Sequence, residues 1–249
     1  MTIVRGVHIL AAPCCGARYT FPRYVSMNFS AFAYWTDGWR EHSPMPNDEG
    51  LRRCKCGQFV LVKDMVAVAT EDTVDLPHMN HVPDKHLPEC IAKASSEEME
   101  VAARLGYWRY LNHEYRERYR QHRDAEEAAT EKAWISANPD RRTWWDKLLR
   151  RKPPEYARSP NSPFTFPPFE PSADQLQNMQ RLSDILHDWS EAFPKGHIIE
   201  LAELYREQGR FDEAETVIRS LDTDQVGVTE KLISNLIKKR QSAPIRYRM

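Results

Sequence analysis

Pro13-Cys14-Cys15-Gly16 and Cys54-Lys55-Cys56-Gly57 hold four of the five cysteines of this chain, and each pair is closed by a glycine. Four thiolates are the number a closed tetrahedral zinc site requires. Ala17-Arg18-Tyr19-Thr20-Phe21 follows the first pair and Gln58-Phe59-Val60-Leu61-Val62 the second, both rich in strand formers. Val7, Ile9 and Leu10 enter the first turn, and Leu51 and Arg52 the second. The pattern predicts two hairpins clamped by one structural Zn2+ held by Cys14, Cys15, Cys54 and Cys56. Gly16 and Gly57 permit the positive φ with which a tight turn wraps its amides around a thiolate.

Residues 5–66 resemble a zinc ribbon, whose usual knuckle is Cys-x-x-Cys-Gly used twice across a variable insert. Here Ala12 and Arg53 stand where that pattern places its leading cysteines, so Cys15 and Cys56 match best, and Cys14 and Cys54 fit only with altered spacing. Adjacent Cys14 and Cys15 must turn two successive side chains, which normally diverge, toward one ion. The competing readings are free thiols, which behave as small buried hydrophobes, and a disulfide framework. An odd cysteine count in a 249-residue chain with 41% hydrophobic residues argues against the framework, since such a chain builds its own cores.

His78, His81, His86 and Cys90 form a second group with metal-ligand chemistry, in a stretch interrupted by Pro77, Pro83 and Pro88. No spacing there is diagnostic. Solvated loop histidines with Cys90 in a core account for the same residues, and a mixed set of Cys15, Cys56, His86 and Cys90 is the metal alternative. A histidine site with an open position would permit hydrolysis through metal-bound water, although no HExxH-like frame supplies a base.

The net charge of −1 by itself points to neither nucleic acid nor membrane. Charge is uneven, with two basic and eight acidic residues over 70–100 and fourteen basic and nine acidic over 101–158. The apolar run Val7 to Ala12 is too short for an export signal, and no run of eighteen apolar residues occurs, so a cytoplasmic protein without a transmembrane segment is expected.

Between the knuckles, Phe29, Phe32, Tyr34, Trp35 and Trp39 suit either a projecting recognition surface or the small core a ribbon otherwise lacks. Ser95 and Glu98 form a capping box that opens a helix running to Ala137, with Met99, Ala103, Tyr107 and Leu111 as its apolar stripe. At 1.5 Å per residue such a helix reaches about 60 Å, which calls for a kink or a partner helix. Arg116, Arg118, Arg120 and Arg123 are expected on a solvated face. The segment from Arg141 to Lys152 combines six basic residues with Trp144 and Trp145. Its short apolar face, Trp145, Leu148 and Leu149, suits docking on the protein's own body. A protein partner, a nucleic acid meeting Arg141, Arg142, Trp144, Trp145, Arg150 and Arg151, and an anionic membrane surface are the alternatives.

Pro153 to Pro171 holds seven prolines in nineteen residues and reads as an extended linker along which phenylalanines pack. Beyond it, Ser172 and Gln175 cap a helix bearing Leu176, Met179, Leu182, Leu186, Trp189 and Phe193. Residues 198–231 are similar to a single tetratricopeptide repeat: Leu201, Ala202 and Tyr205 match its first helix, Gly209 its turn, and Ala214, Ile218 and Leu221 its second helix. Ile198 replaces the usual aromatic opening, and the closing proline is absent. Small Ala202 and Ala214 let two helices approach whatever the name, and one repeat needs neighbours, which the preceding helix and Val228 to Lys239 supply. The resemblance implies peptide or protein binding or an internal packing role.

The expected architecture is α+β: a ribbon-like domain over 1–70, an acidic loop and long helix over 71–152, the linker over 153–171 and a helical domain over 172–249. Without a glycine-rich phosphate loop or a Gly-x-Ser-x-Gly elbow, a non-enzymatic adaptor acting through protein contacts is the leading expectation. A nucleic-acid-associated protein and a zinc-dependent hydrolase are its rivals. A cysteine nucleophile lowered by Arg18, Arg52 and Arg53 is the further catalytic reading.

Overall fold

The computed structural model describes residues 3–27, 31–43, 50–71, 74–140, 142–150, 152, 155–157, 165–192, 197–221 and 227–248, and these form three small antiparallel sheets and seven helices, a mixed α+β protein. Phe29, Arg141, Arg151, Phe164, Phe193 and, within the proline-rich segment, 153–154 and 158–164 lie outside the described residues.

Strands β1 (Ile3–Ala11) and β2 (Arg18–Ser26) form the first hairpin, and β7 (Val66–Glu71) completes its sheet in the order β2-β1-β7. The second hairpin is β5 (Leu51–Arg53) with β6 (Phe59–Leu61), extended by β8 (Asn80–His81). The insert between them supplies β3 (Ala33–Trp35) and β4 (Arg40–Glu41), and the third strand of their sheet is β9 (Arg246–Tyr247), from the far end of the chain. Tyr34 pairs with Tyr247 and Trp35 with Arg246, and Glu41 holds the Arg246 guanidinium at 2.8 Å.

The insert is therefore neither a projecting surface nor the core of the cysteine-bearing hairpins. Trp35 is fully buried and donates from Nε1 to Glu41 at 2.8 Å, while Phe32 is exposed. Asp37 accepts from Asn112 Nδ2 at 3.0 Å, and Thr36 Oγ1 accepts from the Ile245 amide at 3.0 Å.

Helix α1 (Leu87–Ala92) leads into α2 (Glu97–Ala137), a single 41-residue helix. Its cap is Ser96 rather than Ser95: Ser96 Oγ accepts from the Met99 amide at 3.2 Å, whereas Ser95 turns to the Met99 sulfur. The buried stripe is also wider than predicted. Met99, Ala102 and Ala103 pack with Leu51, Phe59, Leu61, Val82, Leu87 and Cys90, while Val101, Leu105 and Trp108 enter a second core. That second core joins α4 (Ala173–Ala192), α5 (Ile198–Glu207), α6 (Phe211–Arg219) and α7 (Val228–Lys238) through Met179, Leu182, Leu186, Leu201, Ile218 and Ile233. Ala202 and Ala214 are fully buried where α5 and α6 form a helical hairpin. Ser172 caps α4 as expected, accepting from the Gln175 amide at 3.2 Å, but Leu176 points outward.

The chain divides into two compact units, Met1–Asn112 with Glu170–Met249, and His113–Phe169, a division that cuts across the four segments marked on the sequence. In the second unit the 165–169 stretch returns along α2: Phe169 meets Tyr115 edge-on and Phe166 stacks on Tyr119. Arg116 is also buried, against the expectation of a solvated face. The short helix α3 (Trp144–Leu148) belongs to the same unit. No helix among the described residues is long and apolar enough to cross a membrane.

Candidate metal centre

The turn between β1 and β2 is closed by two main-chain hydrogen bonds, Ala12 N–H to Ala17 C=O and Gly16 N–H to Ala12 C=O, each 2.8 Å. The turn between β5 and β6 repeats the device one residue shorter, with Cys54 N–H to Gln58 C=O at 2.8 Å and Gly57 N–H to Cys54 C=O at 2.9 Å. Gly16 and Gly57 take φ of +70° and +89°, the left-handed conformation in which a side chain is strained. The difference in length explains the unequal cysteine spacings. Because Cys14 and Cys15 lie in a turn and not in a strand, their side chains escape the strand alternation that would send them to opposite faces.

All four sulfurs of Cys14, Cys15, Cys54 and Cys56 lie within 4.8 Å of one another, the metal-binding group found among the described residues. The close approaches cross between the turns: Cys14 to Cys56 at 3.4 Å and Cys15 to Cys54 at 3.5 Å. These separations exceed the roughly 2.05 Å of a disulfide and fall near the edge of about 3.8 Å of a tetrahedron built on zinc–sulfur bonds of about 2.3 Å. The donor set fits a thiophilic tetrahedral ion.

Tyr19, which the cysteine spacing did not single out, completes the centre. Its buried hydroxyl lies 3.3 Å from the Cys54 sulfur and accepts the Lys55 amide at 2.9 Å. Strand alternation from Ala17 puts it on the inner face of β2, where Ala12, Ala17, Val60, Met65 and Met79 form the floor of the site. Cys54 is buried, and Cys14, Cys15 and Cys56 are exposed, so the centre has one dry side and one wet side.

Cys14, Cys15 and Cys54 differ in how readily they ionise. Burial opposes ionisation of Cys54, but the Cys56 amide and the Tyr19 hydroxyl donate to its sulfur and bring its pKa down to about 6. Burial and the neighbouring thiols push Cys14 up to about 12 and also raise Cys15 against the pull of the Ala17 amide. The lowering at Cys54 is thus led by amide and hydroxyl donors, and not by the arginines Arg18, Arg52 and Arg53. A cation placed among the sulfurs would offset the burial and thiol neighbours that hold the Cys14 and Cys15 pKa values up.

The second cysteine–histidine group does not assemble. Cys90 is fully buried among Leu51, Phe59 and Met99, its thiol pushed up to about 12 by burial. His86 pairs with Glu89 at 3.3 Å, and His78 shares a hydrogen bond of 2.8 Å with Thr20 Oγ1. The mixed set of Cys15, Cys56, His86 and Cys90 is therefore not formed, because α1 buries Cys90 in a separate apolar cluster.

In the basic segment Trp144, Trp145, Leu148 and Leu149 are 63%, 57%, 63% and 64% exposed, and the two indoles stack on each other at 3.7 Å. The expected docking of this face is not seen, since five residues of helix are too short to bury it. Arg142 is held by Asp140 at 2.8 Å. No protein-family model, no curated protein and no solved structure matches this chain.

Proposed function

We propose that Cys14, Cys15, Cys54 and Cys56 hold one structural zinc ion in a ribbon-like module, and that the protein is a non-enzymatic adaptor working through protein contacts in a reducing compartment. The all-sulfur donor set supports the metal half of this reading: four thiolates fill a tetrahedral shell and leave no position for a reacting water. A zinc-dependent hydrolase needs that open position. Thiols must stay reduced to bind, which favours a cytoplasmic setting.

The observation that carries the adaptor half is the exposed face of Trp144, Trp145, Leu148 and Leu149. Clustered aromatic and leucine side chains standing in water suit the centre of a protein interface. The α5–α6 hairpin, similar to a tetratricopeptide repeat, buries its small residues and reads as internal packing. Affinity purification at moderate salt, with Trp144→Ala/Trp145→Ala as control, tests this: a protein partner retained by the wild type and lost by the variant supports it, and equal retention refutes it. Elemental analysis giving one zinc per chain, lost on replacing any of the four cysteines, supports the closed site.

The nucleic-acid reading rests on the same tryptophans beside Arg142 and Arg150, with Arg141 and Arg151 completing the basic run in sequence. Binding to DNA or RNA that falls steeply with salt, and that is abolished by neutralising those four arginines, would favour it over the adaptor reading.

A further inference from the structure

The four clustered sulfurs are open to a second chemistry besides metal ligation, and the turn geometry selects which of them can join. Cys14 and Cys15 are consecutive, and consecutive Cα atoms lie about 3.8 Å apart, short of the roughly 4.4–6.8 Å that a disulfide spans. Cys54 and Cys56 are separated by Lys55 alone, inside a turn locked by the Gly57 N–H to Cys54 C=O hydrogen bond of 2.9 Å. Pairs within a turn are thereby disfavoured. Across the turns, Cys14 and Cys56 stand 3.4 Å apart and Cys15 and Cys54 3.5 Å. The first contact needs to close by about 1.4 Å to reach a sulfur–sulfur bond of about 2.05 Å, a movement that two side chains share.

Exposure orders the two pairs. Cys14 and Cys56 are both exposed, so a small oxidant reaches either sulfur from water. In the other pair Cys15 is exposed and Cys54 is buried, with the Tyr19 hydroxyl 3.3 Å from its sulfur. Cys15 is the sulfur that an oxidant meets, and Cys54 is the one that resolves it from beneath. Cys90, the fifth thiol, is fully buried among Leu51, Phe59 and Met99 and belongs to a different cluster.

We propose that the four-cysteine centre is an oxidative modification site for hydrogen peroxide, which converts it to the disulfides Cys14–Cys56 and Cys15–Cys54 and thereby excludes a metal. One thiolate attacks a peroxide oxygen, the O–O bond breaks, and the sulfur becomes a sulfenic acid while hydroxide leaves and takes a proton. The facing thiolate then attacks the sulfenic sulfur, the S–O bond breaks, and a second hydroxide leaves and is protonated. Each disulfide thus takes two electrons from two thiolates and reduces one peroxide to two waters. A disulfide sulfur no longer carries the thiolate charge that binds metal, so the first bond removes two of four ligands and opens the shell. The loss of metal rests on the zinc reading; the choice of sulfur partners does not.

The test adds hydrogen peroxide stepwise to the zinc-loaded full chain, with 4-(2-pyridylazo)resorcinol reporting free zinc and peptide mass spectrometry mapping the disulfides. One zinc per chain should be released as Cys14–Cys56 forms, and Cys15–Cys54 should follow at higher peroxide. Iodoacetamide after denaturation should then label one thiol per chain, Cys90, where the reduced chain offers five. Dithiothreitol should return all five thiols. A chain that takes up no zinc would refute the structural metal site, whereas the disulfide map is read equally on metal-free protein. Any other pairing, disulfides between chains, sulfinic or sulfonic acids in place of disulfides, or an oxidised chain that keeps its zinc would each overturn the proposal.

Discussion

Glu207 sits at the end of α5 with 2% of its surface exposed, and replacing it by glutamine should change how stability depends on pH. Trp108 Nε1 donates to its Oε2 at 2.7 Å, and Asn112 Nδ2 approaches Oε2 and Oε1 at 3.1 and 3.3 Å. Around it stand Glu203, ion-paired with Arg206, and Asp37, which Asn112 also contacts. Burial, then the charges of Glu203 and Asp37, raise the Glu207 carboxyl well above the usual carboxylate range, against the pull of Arg206 and the indole N–H. The folded protein therefore holds a proton that the unfolded chain releases near 4.5. The resulting stability is fully present below that pH and is lost as pH rises toward the folded value, at up to about 1.4 kcal/mol per pH unit. Glu207→Gln keeps the shape, cannot ionise, and has one acceptor oxygen where the acid has two. Losing one hydrogen bond costs about 1 kcal/mol, so the variant should be slightly less stable than the wild type at about pH 5. It should overtake the wild type within about one pH unit and stay ahead above that. Urea unfolding of both proteins between about pH 5 and 8 reads this directly, and any pH effect on the metal centre cancels in the difference. Equal slopes, or a variant less stable throughout, would refute the buried-proton account.

Three further outcomes follow from the geometry. Trp35→Ala empties a fully buried site and leaves Glu41 without its indole donor, so urea midpoints should report a loss of about 3–5 kcal/mol. Gly57→Ala places a methyl where no atom lies within 4 Å, so its cost should be that of the left-handed backbone alone, about 1–2 kcal/mol, read as weaker metal retention against a chelator. Stripping the metal, or making Cys54→Ser, should expose the amides of 12–19 and 51–61 to hydrogen exchange while the α4–α7 core keeps its protection, because Met179, Leu182 and Leu201 share no cluster with the cysteines.

The cysteine pairs and their glycines announced both hairpins, because turn chemistry and ligand chemistry are local and are written in consecutive residues. The long helix was equally legible over its full length, but its cap was misplaced by one residue since Ser95 and Ser96 offer the same hydroxyl. What escaped was set by distant partners. Tyr19 reaches Cys54 across 35 positions, and the Trp35–Glu41–Arg246 contact joins the insert to the chain end. Arg116 is the clearest failure: a charged residue flanked by others reads as solvated, yet it is buried, and nothing in its local sequence announces that.

A metal held by cysteines so widely spaced would bear on the insert that they enclose. Cys15 and Cys54 are 39 residues apart, and an ion bridging them would close that loop as the site forms. By the chain-entropy relation used for disulfides, closing a loop of that length is worth about 4 kcal/mol. Within the closed loop lie Trp35, Thr36 and Asp37, the residues that meet Ile245 and Asn112. Short strands of three and two residues cannot hold such a segment by their own ladder. Fixing both of its ends at a metal would reduce the entropy that Trp35 and Asp37 must overcome on docking. Its effect would fall on the docking of the insert, since the floor of Tyr19, Met65 and Met79 is a cluster separate from the helical core.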